Sequence, residues 1–531
     1  MKKVLTIIFT LGLVLSCDDR LDELNQPRRE ATAVTAESLF ANGVRNMFDM
    51  MVNTDVNVNI FRLLAQYWAQ TTYPDESQYN LVAREIPDNF WEVAYRDVLK
   101  DLDEAARVTE ENFDPLVDDE ATMLNQLAMI EICKIYTFAI LVDAFGAVPY
   151  REALDDEILV PAYTPGDEVY QDIISRLDEA ISTLDVSAGG FSAVQDVIYQ
   201  GDAAGWLRFA NSLKLRLAMM IADVNADQAS TMVTEAIAGG LFQSNDDNAA
   251  IQYQPTPPST NPLWEDLVQS GRADYVIANT IVDQMQALSD PRLPRYARGM
   301  DFRYPVDRAT NQKRDSVFSE GGTMVLYYPG PDSVVFQTPP FTIFARDSAL
   351  AVQLFRGGEY GTSNTYSANS PAGDIFHDPA LEGLILDYAE VQFFLAEAAE
   401  RGIATPATAE EHYEEGIRAS MEYWEVDEER IDAYISQPEV AYATADGDWR
   451  QKIGIQSWLS LYNRGFEGWT AWRRLDFEAF NVPDGLTEED IPNRLIFPIE
   501  EATLNPSNFR AAIDMIGGSD DVQTKIFWDL Q

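Results

Sequence analysis

Two cysteines and two histidines in 531 residues leave no material for a disulfide framework, a Cys-rich zinc site or a haem-attachment motif. Basic side chains are scarce too: 38 Lys and Arg stand against 87 Asp and Glu, a formal charge of −49. A surface of that sign repels phosphodiester backbones, so no nucleic-acid partner is expected. There is no nucleophile-elbow, phosphate-loop or His-x-x-x-His pattern. His377 and His412 are the only histidines, and His412 falls in an acidic helical stretch where a surface position is expected. Asp223-Val224-Asn225-Ala226-Asp227 opens like a calcium loop, but Thr234 stands where the twelfth-position Glu is needed, so a helix connection is expected there instead. The expectation is a protein without cofactor or metal and with no assignable catalytic residue.

Long apolar runs are absent except at the start. Lys2 and Lys3 precede an almost wholly apolar stretch, 4–15, followed by Ser16-Cys17. This is a secretory signal; about 20 apolar residues would be needed to span a bilayer. Val14-Leu15-Ser16-Cys17 resembles the bacterial lipobox, which implies a signal peptide at 1–16, cleavage before Cys17 and acylation of that cysteine. The alternative is a plain secreted protein with a cysteine near its cleavage site. A lone thiol is a liability in an oxidising compartment, which favours the lipid anchor. Asp18, Asp19, Asp22 and Glu23 follow, so 17–35 reads as an extended acidic tether. Cys133 lies in an apolar helical stretch and reads as an inert core thiol.

With 46% apolar and 24% charged residues, the remainder, 36–531, is an ordinary globular body. Apolar residues recur at helical spacing over 36–52, 58–71, 89–108, 120–145, 167–184, 206–223, 230–238, 384–401 and 408–422. The fold class expected is mostly α, a tetratricopeptide-like scaffold of helix pairs, each burying its neighbour's apolar face. Between 241 and 383 proline and glycine are frequent and helical periodicity is lost except around 275–287. An irregular stretch that long is normally functional. The organisation expected is therefore N-terminal helix pairs at 36–240, ligand-binding insertions at 241–383, and at 384–531 a helix pair with an irregular tail, the tail including 462–480.

Several blocks point to a family. Asp143-Ala144-Phe145-Gly146-Ala147-Val148-Pro149-Tyr150 is followed by Gly201-Asp202, Trp206 and Phe209-Ala210-Asn211-Ser212-Leu213-Lys214-Leu215-Arg216. Asp290-Pro291-Arg292-Leu293-Pro294, Tyr388-Ala389-Glu390-Val391, Leu395-Ala396-Glu397-Ala398 and Arg494-Leu495-Ile496-Phe497-Pro498 come later, in order. Together they resemble the SusD/RagB-like outer-membrane lipoproteins, in the divergent second SusD-like subgroup. The resemblance implies a non-enzymatic nutrient receptor on the cell surface. It would capture an oligosaccharide and pass it to a SusC-like TonB-dependent transporter in the outer membrane. The blocks themselves read as structural: Pro149 stops a helix, Gly146 supplies a turn, and Asn211 and Arg216 satisfy buried backbone or carboxylate groups.

Sugars offer apolar C–H faces bounded by hydroxyls, so a shallow receptor needs exposed rings flanked by amides and charges. Three patches fit. The first holds Trp68, Tyr73, Tyr79 and Asn80; the second Trp264, Arg272 and Asp274, with Tyr253 nearby; the third Tyr360 and Tyr366. Each has a structural competitor, and for Trp68 a core position is as well supported as a ligand platform. Tyr327 and Tyr328 read as a half-buried strand, and Trp458, Trp469 and Trp472 as core. The charge favours neutral glycans unless Arg272, Arg292, Arg295, Arg298 and Arg303 form a basic patch. Two rivals stay open: a SusD-like receptor for peptides or another non-glycan nutrient, and a surface glycoside hydrolase, since 87 acids offer too many carboxylate pairs for pattern alone to dismiss.

Overall fold

The computed structural model describes residues 34–302 and 352–530, together with strand backbone at 306–307, 312–313, 325–330, 333–338 and 341–345. The signal segment, Cys17 and most of the tether lie outside the described residues, as do Arg303 and Tyr304.

Helix α1 (Ala36–Val52) is capped by Thr35, whose hydroxyl accepts the Ser38 N–H, and turns Phe40, Val44, Met47 and Phe48 inward. Its antiparallel partner α2 runs as Ile86–Glu92, a π-helical Val93–Leu99 and Lys100–Asn112. Helix α3 (Glu120–Phe145) starts on an Asp119 cap and is apolar on all sides. Such a helix must be surrounded, and it is buried throughout its second half, Cys133 included. It pairs with α4 (Gly166–Thr183) across the short ladder of Ala147–Pro149 with Tyr163–Pro165. Helices α5 (Ala203–Met220) and α6 (Ala226–Gly239) form the next pair. The Asp223-to-Asp227 segment is the connection between them: Asp223 pairs with Arg401 at 2.6 Å and Asn225 caps α6. After α7 (Asn279–Ala287), α8 (Tyr388–Glu400) and α9 (Ala409–Tyr423) pack as a further pair. Then come α10 (Glu428–Ile435), α11 (Trp449–Ser460), α12 (Gly465–Leu475) and α13 (Pro506–Met515). The fold is mostly α, as the periodicity predicts, and the strands are two-stranded ladders apart from one three-stranded meander that includes Val325–Gly330, the segment of Tyr327 and Tyr328.

Four expectations fail, one of them in part. The 58–71 stretch is not a helix: only Phe61–Leu64 is helical, and Trp68–Gln70 is a strand. Gln66, at φ 55°, turns the chain, and Trp68–Gln70 then pairs antiparallel with Tyr275–Ile277. That pairing also takes the first residues of the 275–287 helical reading. The 462–480 stretch is not irregular, for α12 lies within it. Its glycines mark close approach rather than breaks: a Cβ on Gly465 would meet the Arg62 nitrogen at 2.3 Å, and one on Gly468 the Tyr67 hydroxyl at 2.2 Å. His412 is buried, not exposed. Its Nδ1 lies 2.7 Å from the Gln392 amide oxygen, and its Nε2 accepts the Ala407 N–H at 3.3 Å, the pattern of a neutral ring. Burial holds its pKa below the usual value.

The sequence blocks meet in the interior as a charge network. Arg216 on α5 donates to Glu390 of α8 at 2.8 Å and to the Ile385 carbonyl. Arg464 reaches the same carboxylate at 2.5 Å and Asp387 at 2.9 Å. Burial alone would raise the Glu390 pKa, but the two arginines outweigh it and hold the carboxyl below its ordinary value. Glu467, with the same arginines farther off and Glu390 beside it, is pushed up by burial. Glu397 of α8 binds Arg474 of α12. Asp143 accepts from Tyr170 Oη at 2.7 Å and Trp528 Nε1 at 2.8 Å, yet burial still pushes it up to about 6. Asp290 and Arg292 are wholly buried on each other, 2.6 Å apart. Asn211 donates to the Leu207 carbonyl at 2.9 Å. These residues orient helices, the structural role their types imply.

Candidate functional site

The ladder of Trp68–Gln70 on Tyr275–Ile277 is the joint around which the three patches gather. Trp68 lies opposite Ile277 and Gln70 opposite Tyr275. Beyond the ladder, Thr71 N–H donates to the Asp274 carbonyl at 2.8 Å and its hydroxyl to the Ala273 carbonyl at 2.6 Å. The third segment joins on the other side. Gly358 N–H donates to the Ile277 carbonyl at 2.7 Å, Asn364 N–H to the Gln70 carbonyl at 3.0 Å, and the Gln78 amide to the Gly361 carbonyl at 2.8 Å. The Asn279 side chain accepts the Tyr360 N–H at 3.1 Å. Segments 71–80, 272–275 and 358–366 thus form one loop cluster, although nearly 300 residues separate its ends along the chain (364 against 70).

Inside that cluster two of the nominated rings are core. Trp68 is only 2% exposed: its Nε1 donates to the Tyr462 hydroxyl at 2.9 Å, and the Arg62 guanidinium lies over the ring at 5.4 Å. A strand residue facing inward has no free face for a ligand, so Trp68 is a support. Tyr360, 3% exposed, packs with Ala69, Val276 and Ala278 beneath the loops. Tyr253 is buried as well, its hydroxyl donating to Asp49 at 2.7 Å.

The remaining residues line the outside. Tyr73 is 69% exposed and sits at φ 54°, a left-handed backbone that a bulky L-residue rarely adopts. Tyr79, at φ 65°, is half-buried with its ring 6.4 Å from that of Tyr360, and burial pushes its hydroxyl up to about 12. Asn80 is exposed, and Tyr366 is half-buried against the Tyr360 cluster. Gln66, Tyr73, Tyr79 and Glu85 bring four left-handed non-glycine residues into twenty positions. Strain of that kind persists only where surrounding structure imposes it, and it gathers at functional loops. Here a buried polar anchor imposes it: Glu76 pairs with Arg84 and accepts from the Gln70 amide at 2.5 Å, while Ser77 donates to Gln70 Oε1 at 2.8 Å.

Arg272 and Asp274 stand at the edge, paired to each other at 2.6 Å with the arginine largely exposed. Trp264 is not part of the cluster proper. It is half-buried in the short Pro262–Trp264 turn, which Asn261 caps and which packs against α1. The next residues approach the ladder, since Thr54 donates to Asp266 at 2.7 Å and Tyr275 Oη to the Thr54 carbonyl at 3.0 Å. The proposed basic patch does not form among the described residues. Arg292 is buried on Asp290, Arg295 pairs with Glu425 at 2.7 Å and Arg298 with Asp374 at 3.6 Å.

Sequence reading missed the residues that build the cluster, above all Asn364 and Asn279. Asn364 donates from one amide to the Gln70, Glu359 and Thr362 carbonyls and accepts the Glu359 N–H. A single Asn among Gly, Ser and Thr is the signal of such a loop clamp. Two internal cavities, about 30 and 20 Å³, lie in the charge network around Arg216 and Arg464, each with room for about one water. Neither can hold a sugar, and the loop cluster lies apart from both. No group of His, Cys, Asp and Glu among the described residues has the arrangement of a metal site, and no described helix is long and apolar enough to cross a membrane.

Comparison with known proteins gives a consistent relationship. The family model SusD-like_2, described as starch-binding and associating with the outer membrane, matches residues 27–314 and 338–498. Among solved structures, a chitin-binding protein superposes with a TM-score of 0.74 at 22% identity, over 94% of this chain and all of its own. A chitin-binding SusD homologue from Flavobacterium johnsoniae gives 0.70 at 22% identity, covering 93% of this chain and 99% of its own. A SusD homologue from Bacteroides uniformis gives 0.70 at 23%, with the same coverage. At these identities the structures establish the shared fold. No curated protein matches in sequence.

Proposed function

The chain belongs to the SusD-like_2 family, and on that premise we propose that it is a cell-surface receptor that captures a glycan on the loop cluster and passes it to a SusC-like TonB-dependent transporter without changing a covalent bond. In this reading Cys17 carries the lipid that tethers the body to the outer membrane. Tyr73 supplies the open ring for a sugar's C–H face, Tyr79 and Tyr366 its flanks, and Asn80, Arg272 and Asp274 the hydrogen bonds to hydroxyls. The mutual pairing of Arg272 and Asp274 leaves the edge locally neutral, which favours an uncharged glycan over an anionic one.

One observation carries the reading: a largely exposed tyrosine, held in a strained left-handed backbone, stands where three sequence-distant segments meet. Likeness to proteins whose names state chitin binding supports the ligand class. The test is calorimetric titration of the purified chain with neutral oligosaccharides, including chitin and starch fragments, alongside peptides. A neutral oligosaccharide should bind, and Tyr73→Ala should weaken it about tenfold, the loss of one stacked ring. Release of new reducing ends during incubation would replace the receptor reading with a hydrolase, and binding of peptides alone would change the ligand class.

A further inference from the structure

The chain beyond α12 returns to the loop cluster from a side that none of the three patches includes. Phe480 stacks on Trp472 with 4.8 Å between ring centres, and the next residue is tied into the base of the joint. Asn481 N–H donates to Gln66 Oε1 at 2.8 Å, its carbonyl accepts from the Gln66 amide at 2.8 Å, and its own amide donates to Thr280 Oγ1 at 2.8 Å. Two residues on, Pro483 packs against the third patch. A Cβ on Gly361 would meet the Pro483 Cβ at 2.6 Å, and the Gly361 carbonyl is the one that Gln78 holds. Segment 481–490 is therefore a fourth wall of the cluster, beside Tyr360 and Tyr79. Burial raises the Tyr79 hydroxyl and the charge of Asp490 adds to that, so the far end of the segment lies within electrostatic reach of the same ring.

Between these points the segment makes one tight turn. Leu486 N–H donates to the Pro483 carbonyl at 3.0 Å, and Gly485 sits at φ 86°, a third turn position that suits glycine. Both ends of the turn are fastened. Asn481 holds one. At the other, Thr487 N–H donates to Asp490 at 2.8 Å, the Gln523 amide donates to Asp490 at 2.9 Å, and Trp469 Nε1 donates to the Pro492 carbonyl at 2.7 Å. A turn fixed in this way presents its tip without the ordering cost that a free loop meets on binding.

The tip is Asp484. Its side chain is exposed and makes no hydrogen bond or ion pair among the described residues. Asp274, Glu76 and Asp490, by contrast, are engaged with Arg272, Arg84 and Thr487. A carboxylate has two oxygens that only accept. It suits two adjacent donors on the edge of a sugar ring, while an open tyrosine takes the face. An acidic sugar would be repelled at the same point.

We propose that Asp484 is a further ligand-binding residue, accepting hydrogen bonds from two adjacent donors of the captured sugar, and that segment 481–490 is the wall of the site that holds it in place. This rests on the glycan reading above. What it adds is a wall drawn from the C-terminal tail and a requirement on the cargo: two neighbouring donor groups left free on one edge.

The experiment titrates the purified chain calorimetrically with starch and chitin oligosaccharides. Asp484→Ala should bind about tenfold more weakly than wild type, the loss of hydrogen bonds to a charged group. Asp484→Asn keeps the shape but replaces one acceptor oxygen with a donor, and should lose several-fold. Neither should lower the thermal midpoint, since the side chain is exposed and touches no partner. Combined with Tyr73→Ala, the two losses should multiply, as separate contacts to one ligand do. Wild-type affinity in both Asp484 variants, beside a weakened Tyr73→Ala, overturns the inference and leaves the receptor reading standing. A fall in thermal midpoint that accompanies the loss of affinity also overturns it, because Asp484 would then be a structural residue. Failure of the wild-type chain to bind any oligosaccharide removes the receptor reading, and the inference goes with it.

Discussion

Tyr73 separates a binding role from a packing role by stability and affinity together. Its ring is 69% exposed, so truncation removes little buried area, while its φ of 54° charges the backbone for every residue except glycine. The left-handed conformation costs an L-residue about 1 kcal/mol. Glycine escapes that cost but loses about 0.5–1 kcal/mol through the freedom it gains when unfolded. Tyr73→Ala should thus unfold within about 0.5 kcal/mol of wild type, and Tyr73→Gly should match or exceed it. Affinity should fall about tenfold in both, since both lack the ring. Urea unfolding followed by tryptophan fluorescence gives the first quantity and calorimetry with the bound oligosaccharide the second. A loss of more than about 1.5 kcal/mol in Tyr73→Ala with affinity unchanged would refute the reasoning, because it is the signature of a packed ring.

Trp68→Ala removes a buried ring and its hydrogen bond to Tyr462, and should cost about 3–5 kcal/mol, visible as a fall in thermal midpoint. Glu390→Ala strands Arg216 and Arg464 in the interior and should cost at least about 3 kcal/mol, read from urea unfolding. His412 has its pKa lowered by burial, so the folded state resists the proton that the unfolded chain accepts near pH 6.5. Its contribution to stability is present above about 6.5 and is lost as pH falls from there toward the lowered folded pKa. The stability difference between wild type and His412→Gln should therefore shrink as pH is taken from 7 to 5; a constant difference would mean the buried ring does not titrate.

The helix pairs were legible because their apolar spacing is local: α1, α3, α4, α8 and α9 fall within a few residues of where periodicity puts them. The errors arose where a distant partner decides the local state. Residues Tyr67 to Gln70 have the composition of a helix continuation, but the chain around Val276 offers them a ladder. Gly465 and Gly468 look like breaks until Arg62 and Tyr67 are seen against them. In the candidate site, residue type pointed to loops that the fold brings together, without separating rings that face out from rings that face in. Trp68 and Tyr73 are five positions apart and equally aromatic; the turn at Gln66 and the strand that follows decide their exposure. The acidic expectation for His412 failed because its helix buries the one face on which Gln392 waits.

The joint at the Trp68–Gln70 strand has a consequence for the order of folding. Its bonds reach from Thr71 to Asp274, from Asn364 to Gln70 and from Gln66 to Asn481, so almost the entire polypeptide must have emerged and settled before the last of them can close. Contacts between such distant points are the slow ones to establish. The loop cluster is therefore incomplete until nearly the whole chain is available, and a C-terminal truncation before Asn481 would leave its base unjoined.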